Sequence, residues 1–147
     1  MERFGEVTPL LGVIDPDAYA AGTVTTSWVA MKDVQSIGAL ISVGTMASTS
    51  TVDAKLQQAT DASGTGAKDI TGKAITQLTE AGGDSDKQAI INCSQDELDL
   101  ANDFTHVRLS ITVATAASDA AGFIFGKGLR YGPAEDADLA SVDEIVT

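Results

Sequence analysis

His106-Val-Arg-Leu-Ser-Ile-Thr-Val-Ala114 decides the fold. Val107, Leu109, Ile111 and Val113 fall on one side of an extended chain, and His106, Arg108, Ser110 and Thr112 on the other. A two-residue period is that of a β-strand with one face in a core and one in water, and a helix does not reproduce it. Thr51-Val-Asp-Ala-Lys-Leu-Gln-Gln58 repeats the pattern, setting Val52, Ala54 and Leu56 against Asp53, Lys55 and Gln57.

Further strand patterns flank these two. Residues 23–31 are rich in β-branched side chains, with Val24, Thr26 and Trp28 on one face, and residues 37–45 place Ile37, Ala39, Ile41 and Val43 together. Residues 88–93 form a nearly continuous apolar run, as in a strand covered on both faces. Residues 121–129 alternate Phe123 and Phe125 against Ile124, with Gly122, Gly126 and Gly128 allowing bends or close backbone contact. A shorter run lies at 75–79. Gly-, Ser- and Asp-rich breaks at 45–50, 61–69, 80–86 and 114–119 separate the runs. This spacing predicts an all-β chain, a single jelly-roll-like β-sandwich of about seven or eight strands. Ser94-Gln-Asp-Glu-Leu-Asp-Leu100 adds one short helical turn, with a Ser cap and an acidic first turn.

The ends read differently. Residues 1–19 hold Pro9, Pro16 and apolar residues without clean alternation, and residues 131–147 carry Glu135, Asp136, Asp138, Asp143 and Glu144 with no basic residue after Arg130. The expected organisation is an N-terminal arm (1–19), a sandwich domain (20–130) and an acidic C-terminal arm (131–147).

A chain of 147 residues suits one core, and 9 basic against 21 acidic residues leave a net charge of −12. Nucleic-acid binding draws on Lys and Arg neutralising phosphates, so this balance argues against it, and against anionic membrane surfaces. No stretch approaches the ~18 apolar residues of a membrane span, and residues 1–6 open no signal-like apolar region, which leads to the expectation of a chain made in a cytoplasm.

Catalytic chemistry finds few residues to work with. The only cysteine, Cys93, excludes an internal disulfide and sits in an apolar run without a cationic neighbour, where a small buried hydrophobe is expected. The only histidine, His106, falls on the polar face of its strand, and no Gly-x-Ser-x-Gly elbow is present. The carboxylates lie mostly in turns and the tail, and one Trp, two Tyr and four Phe leave little for a sugar-stacking cleft. Asp84-Ser-Asp86 and Glu135-Asp-Ala-Asp138 offer oxygen ligands of the kind Ca²⁺ takes, but neither follows the twelve-residue calcium loop. The pairs Gly64/Gly66 and Gly126/Gly128 lack the full phosphate-loop pattern. The expectation is a protein that is not an enzyme, with no catalytic residues, no metal site and no cofactor.

The strings Thr51-Val-Asp-Ala-Lys-Leu-Gln-Gln-Ala-Thr60, Gly66-Ala-Lys-Asp-Ile-Thr-Gly-Lys-Ala-Ile-Thr-Gln-Leu78, Phe104-Thr-His-Val-Arg-Leu-Ser-Ile-Thr-Val113 and Arg130-Tyr-Gly-Pro-Ala134 resemble small structural proteins of tailed bacteriophages and prophages, described as head decoration, cement or minor capsid proteins. The resemblance covers about residues 20–134. It implies an accessory virion subunit on the capsid outer surface, with the major capsid protein as partner and a homotrimer as the assembled form. On that reading Phe4, Leu10, Leu11, Val13 and Ile14 of the N-terminal arm, and Tyr131, are the expected partner-binding residues. Two other readings remain at this point: a head–tail connector, tail or fibre-base component, and a carbohydrate-binding module using Trp28, Tyr19 or Tyr131 as an aromatic platform.

Overall fold

The computed structural model describes residues 1–147. A four-residue helix α1 (Phe4–Val7) precedes ten strands: β1 (Leu10–Tyr19), β2 (Gly22–Thr25), β3 (Val29–Ala30), β4 (Val34–Met46), β5 (Thr51–Ala59), β6 (Lys68–Ala74), β7 (Leu78–Thr79), β8 (Gln88–Ser94), β9 (His106–Ala114) and β10 (Ser118–Leu129). One sheet runs β1-β10-β4-β8 and the other β2-β9-β5-β6, with the two-residue strands β3 and β7 added on β9 and β5. Every pairing is antiparallel, and four of them nest: β1 with β10, β2 with β9, β4 with β8, β5 with β6. Nested pairing of this kind is one long antiparallel ribbon wound into two facing sheets, the jelly roll.

The alternation that opened the reading builds the core. Val107, Leu109, Ile111 and Val113 of β9 and Val52, Ala54 and Leu56 of β5 are at most 2% exposed. They meet Ile37, Ala39, Ile41 and Val43 of β4, Ile124 of β10 and Ile14 of β1. The sheets approach closely where β10 carries Gly122. A Cβ on Gly122 would lie 2.7 Å from Leu109 Cδ2 and 3.2 Å from Ile111 Cδ1.

Four expectations are corrected by the structure. Residues 10–19 are not an arm but a full strand, hidden in the sequence because β1 is interrupted by register shifts between Leu10 and Gly12 and between Ile14 and Asp17. Such bulges break the two-residue period without ending the strand. The break at 61–69 ends at residue 67 and the strand run at 75–79 narrows to β7, while residues 68–74 form the unexpected β6, an edge strand whose outward side chains are polar and whose only buried residue is Ile70. Residues 88–93 are covered on one face only: Ile91 and Cys93 are buried against the core, while Ile90 on the outer face is 67% exposed. Residues 23–31 split into β2 and β3, and Trp28 lies outside the core beneath Arg108.

Trp28 is held between two constraints. The Arg108 guanidinium carbon stands 4.5 Å from its ring centroid, and a Cβ on Gly64 (φ +82°) would come within 2.6 Å of its indole nitrogen. Gly72 shares the left-handed backbone (φ +76°) but faces open space. Ala at Gly72 is therefore expected to cost about 1 kcal/mol from backbone strain alone, and Ala at Gly64 about 2–3 kcal/mol. Equal losses in chemical denaturation would show that the indole moves aside freely.

Ser94 caps a 3₁₀ turn (Gln95–Glu97) as its sequence suggests: Glu97 accepts from the Ser94 N–H at 2.8 Å and from its hydroxyl at 3.1 Å. The Lys73 ammonium, 2.7 Å away, and the Ser94 N–H hold the Glu97 carboxyl at about 2, below its ordinary 4.5. Asp69 is lowered by Lys55 and Gln57, and Asp99 by Lys68 and Asn102. A depressed carboxylate adds stability above its unfolded pKa and loses it as pH falls toward the folded value. Glu97 is largely solvent-facing, so screening leaves each contribution small. The thermal midpoint should fall as pH drops from 4.5 toward 2, and Glu97→Gln should flatten that decline when melts are followed by circular dichroism. An unchanged profile would discount the Lys73 pair.

Candidate interaction surface

The residues that could carry chemistry are each occupied. The Cys93 thiol is 1% exposed, and burial, followed by the nearby Glu97 charge, pushes it up to about 11. His106 is half-buried on the outer face of β9, with Nδ1 2.9 Å from the Thr105 hydroxyl. Asp84 accepts from the Thr79 N–H at 2.9 Å and Lys87 Nζ at 3.0 Å, which closes a turn. No three His, Cys, Asp or Glu side chains converge as a metal site would require. The space between the sheets is filled by the aliphatic core.

The two outer faces differ. That of β2-β9-β5-β6 is polar: Thr23 meets Thr112 at 2.9 Å, Lys55 meets Asp69 at 2.8 Å, and Arg108 donates to Gln57 at 2.9 Å. That of β1-β10-β4-β8 is apolar along one transverse row. Val13 pairs with Phe123, Phe123 with Leu40, and Leu40 with Ile90, so four apolar side chains cross all four strands in register. Directly paired residues share a face. In the next row Leu10 pairs with Phe125, whose ring takes Phe4 edge-on at a centroid distance of 5.7 Å.

Both chain ends fold onto this side. On β1, the Leu10 N–H donates to an Asp138 carboxylate oxygen, and the Leu10 carbonyl accepts from Leu139 N–H at 3.0 Å. A cleft of about 430 Å³ lies between the ends, lined by Phe4, Leu10, Phe125, Val142 and Ile145 among others. Its rim carries exposed apolar groups: Phe4 at 67%, Ile145 at 40% and Val146 at 84%.

Of the residues expected from sequence to bind a partner, Phe4 is exposed, and Leu10 and Val13 are half-buried on the apolar face. Leu11 packs toward the core and Ile14 is 3% exposed within it, so their side chains are taken up by the sandwich. Tyr131 is 72% exposed, with Arg130 5.9 Å from its ring centroid, and is not part of the apolar row. Leu40, Ile90, Phe123 and Phe125 were missed as surface residues. The signal for the two phenylalanines was their alternation with Ile124, which assigns the aromatic pair and the isoleucine to opposite faces but not which face is the core.

No family model and no curated protein matches the chain. Its structure is similar to a chain of infectious bursal disease virus, Gt strain, at 12% identity over 86% of this chain and 34% of that one, with a TM-score of 0.47. It is also similar to Broad Bean Stain Virus (10% identity, 86% and 90% covered, TM-score 0.44) and to empty particles of cowpea mosaic virus (12% identity, 87% and 90% covered, TM-score 0.41). The chain spans about a third of the bursal-disease-virus chain it matches. At these scores the likeness carries no more than the strand pairing states: the chain is an all-β, two-sheet jelly-roll sandwich.

Proposed function

We propose that this chain is a non-enzymatic structural subunit of a virus particle, a decoration or cement subunit that docks on the outside of a phage head and reinforces the shell. The major capsid protein is its partner, and a homotrimer is the docked form that the sequence resemblance implies. One observation carries the reading: exposed apolar side chains gather on the paired chain ends and on one sheet face of an otherwise acidic molecule. An exposed apolar patch with a polar surround is characteristic of protein–protein contact. Jelly rolls also serve as lectin and cupin domains. Here the interior is filled by aliphatic side chains, and Arg108 covers one face of the Trp28 ring, which disfavours both alternatives. A net charge of −12 suits a surface turned away from packaged nucleic acid.

Heads of the encoding phage stripped of this chain provide the test. The full chain is expected to rebind, and Phe4→Asp combined with Ile145→Asp to remain folded but bind at least ~100-fold more weakly, since each buried apolar anchor contributes about 1.5–3 kcal/mol. Undiminished binding would overturn the assignment. Quantified against the major capsid protein in purified particles, the chain should be present in hundreds of copies; about a dozen would instead indicate a connector or tail position.

A further inference from the structure

Each sheet of a sandwich has two edges, and three of the four here are guarded. At β1, Asp138 and Leu139 satisfy both backbone groups of Leu10, and Pro16 and two register shifts interrupt the rest. β2 is only four residues long. β6 carries Lys68 and Lys73 and a register shift opposite β5. These are the devices by which proteins blunt edge strands.

β8 has none of them. Gln88-Ala-Ile-Ile-Asn-Cys-Ser94 holds no charge and no proline, and its pairing with β4 is unbroken from Ser36–Ser94 to Ser42–Gln88. The Val43 N–H donates to the Lys87 carbonyl at 2.9 Å, and those residues continue the same register. Alternation along an antiparallel pair then directs the backbone groups of Ala89, Ile91 and Cys93 at β4, and those of Gln88, Ile90 and Asn92 away from it. The side chains of these last three are exposed as well.

We propose that β8 pairs antiparallel with β8 of a second copy about a two-fold axis, joining two four-stranded sheets into one of eight strands. The strand fits itself in a single register. With Ile90 opposite Ile90 of the other copy, Gln88 faces Asn92 in both directions, so two neutral amide pairs flank one apolar pair and no carboxylate is brought against another along the strand. In that register the row Val13–Phe123–Leu40–Ile90 continues unbroken into its counterpart. Shifting by one pairing step, with Ile91 on the axis, sets Ile90 against Asn92 and loses the apolar match. The pairing is independent of the virion reading, and the isolated chain tests it.

Sedimentation equilibrium of the full chain over a concentration series should show self-association, stronger at moderate than at low salt because two bodies of −12 repel. Ile90→Lys should weaken it about 100-fold by placing two ammonium groups at the axis, without lowering the thermal midpoint, since the side chain is exposed in the single chain. Ile90→Cys should form a dimer-sized disulfide under mild oxidation, whereas Val13→Cys, on the same face but at the far edge, should not; strand-paired Cα atoms lie within disulfide reach. A wild-type chain that stays monomeric, association untouched by Ile90→Lys, or no Ile90→Cys cross-link would each overturn the proposal. A monomeric chain whose binding to heads is abolished by Ile90→Lys would overturn the second copy and assign the edge to a coat-subunit strand.

Discussion

Leu109→Ala is expected to cost about 3–4 kcal/mol, Gly122→Ala about 1–3 kcal/mol, and the double variant clearly less than their sum. Leu109 is fully buried on β9 and reaches across the sandwich to β10, where the absence of a side chain at Gly122 lets its Cδ2 approach. Truncating Leu109 leaves a cavity, whereas adding a methyl at Gly122 fills the same space while Leu109 still occupies it. Each single change spoils one side of a matched contact, and together they partly restore it. Urea denaturation of the four chains, with the slope compared to exclude a change of mechanism, measures the coupling. Strictly additive losses would mean that Gly122 is tolerated at that place for some reason other than Leu109.

The same pair illustrates how far a sequence carries. The faces of β5 and β9 were legible because they are central strands with one dry and one wet face, so the two-residue period survives intact. β10 was legible as a strand, but not in orientation. Its larger apolar residues, Phe123 and Phe125, point outward, and small Gly122 and Gly126 point inward, because the sheets approach too closely there for bulk. Size therefore misleads where hydrophobicity alone is used. Strands at the sheet edges were the least legible: β1 by its bulges, β6 by its polar side chains, β8 because an uncharged edge strand reads like a covered one. The candidate surface depends on those edges and on contacts between residues more than a hundred positions apart, such as Leu10 with Asp138 and Leu139. Phe4, which the structure leaves exposed, was singled out in the sequence; Ile90 and Ile145 were not, since nothing local distinguishes an exposed isoleucine from a buried one.

Deleting residues 138–147 is expected to change how the chain assembles more than any single substitution. The tail supplies both hydrogen bonds to the free edge of β1 at Leu10, and Val142 and Ile145 cover the cleft beside Phe125. Losing two edge hydrogen bonds and this apolar contact should lower stability by about 2–3 kcal/mol, which a core of this size survives. The larger consequence concerns geometry. With the tail in place each chain offers one open edge in its β1-β10-β4-β8 sheet, and pairing through β8 closes after two copies. Without it the sheet is open at both ends, and pairing through β8 and β1 in turn no longer closes, the condition under which contacts propagate into open polymers. Light scattering and negative-stain microscopy should therefore show the truncated chain growing into assemblies of uneven length at concentrations where the full chain stops at a fixed size. Adding Ile90→Lys to the truncated chain should return it to closed pairs held through β1 alone. A truncated chain that keeps the size of the full one would show that the bulges and Pro16 guard β1 without the tail, leaving the C-terminal segment only its place beside Phe4 and Phe125.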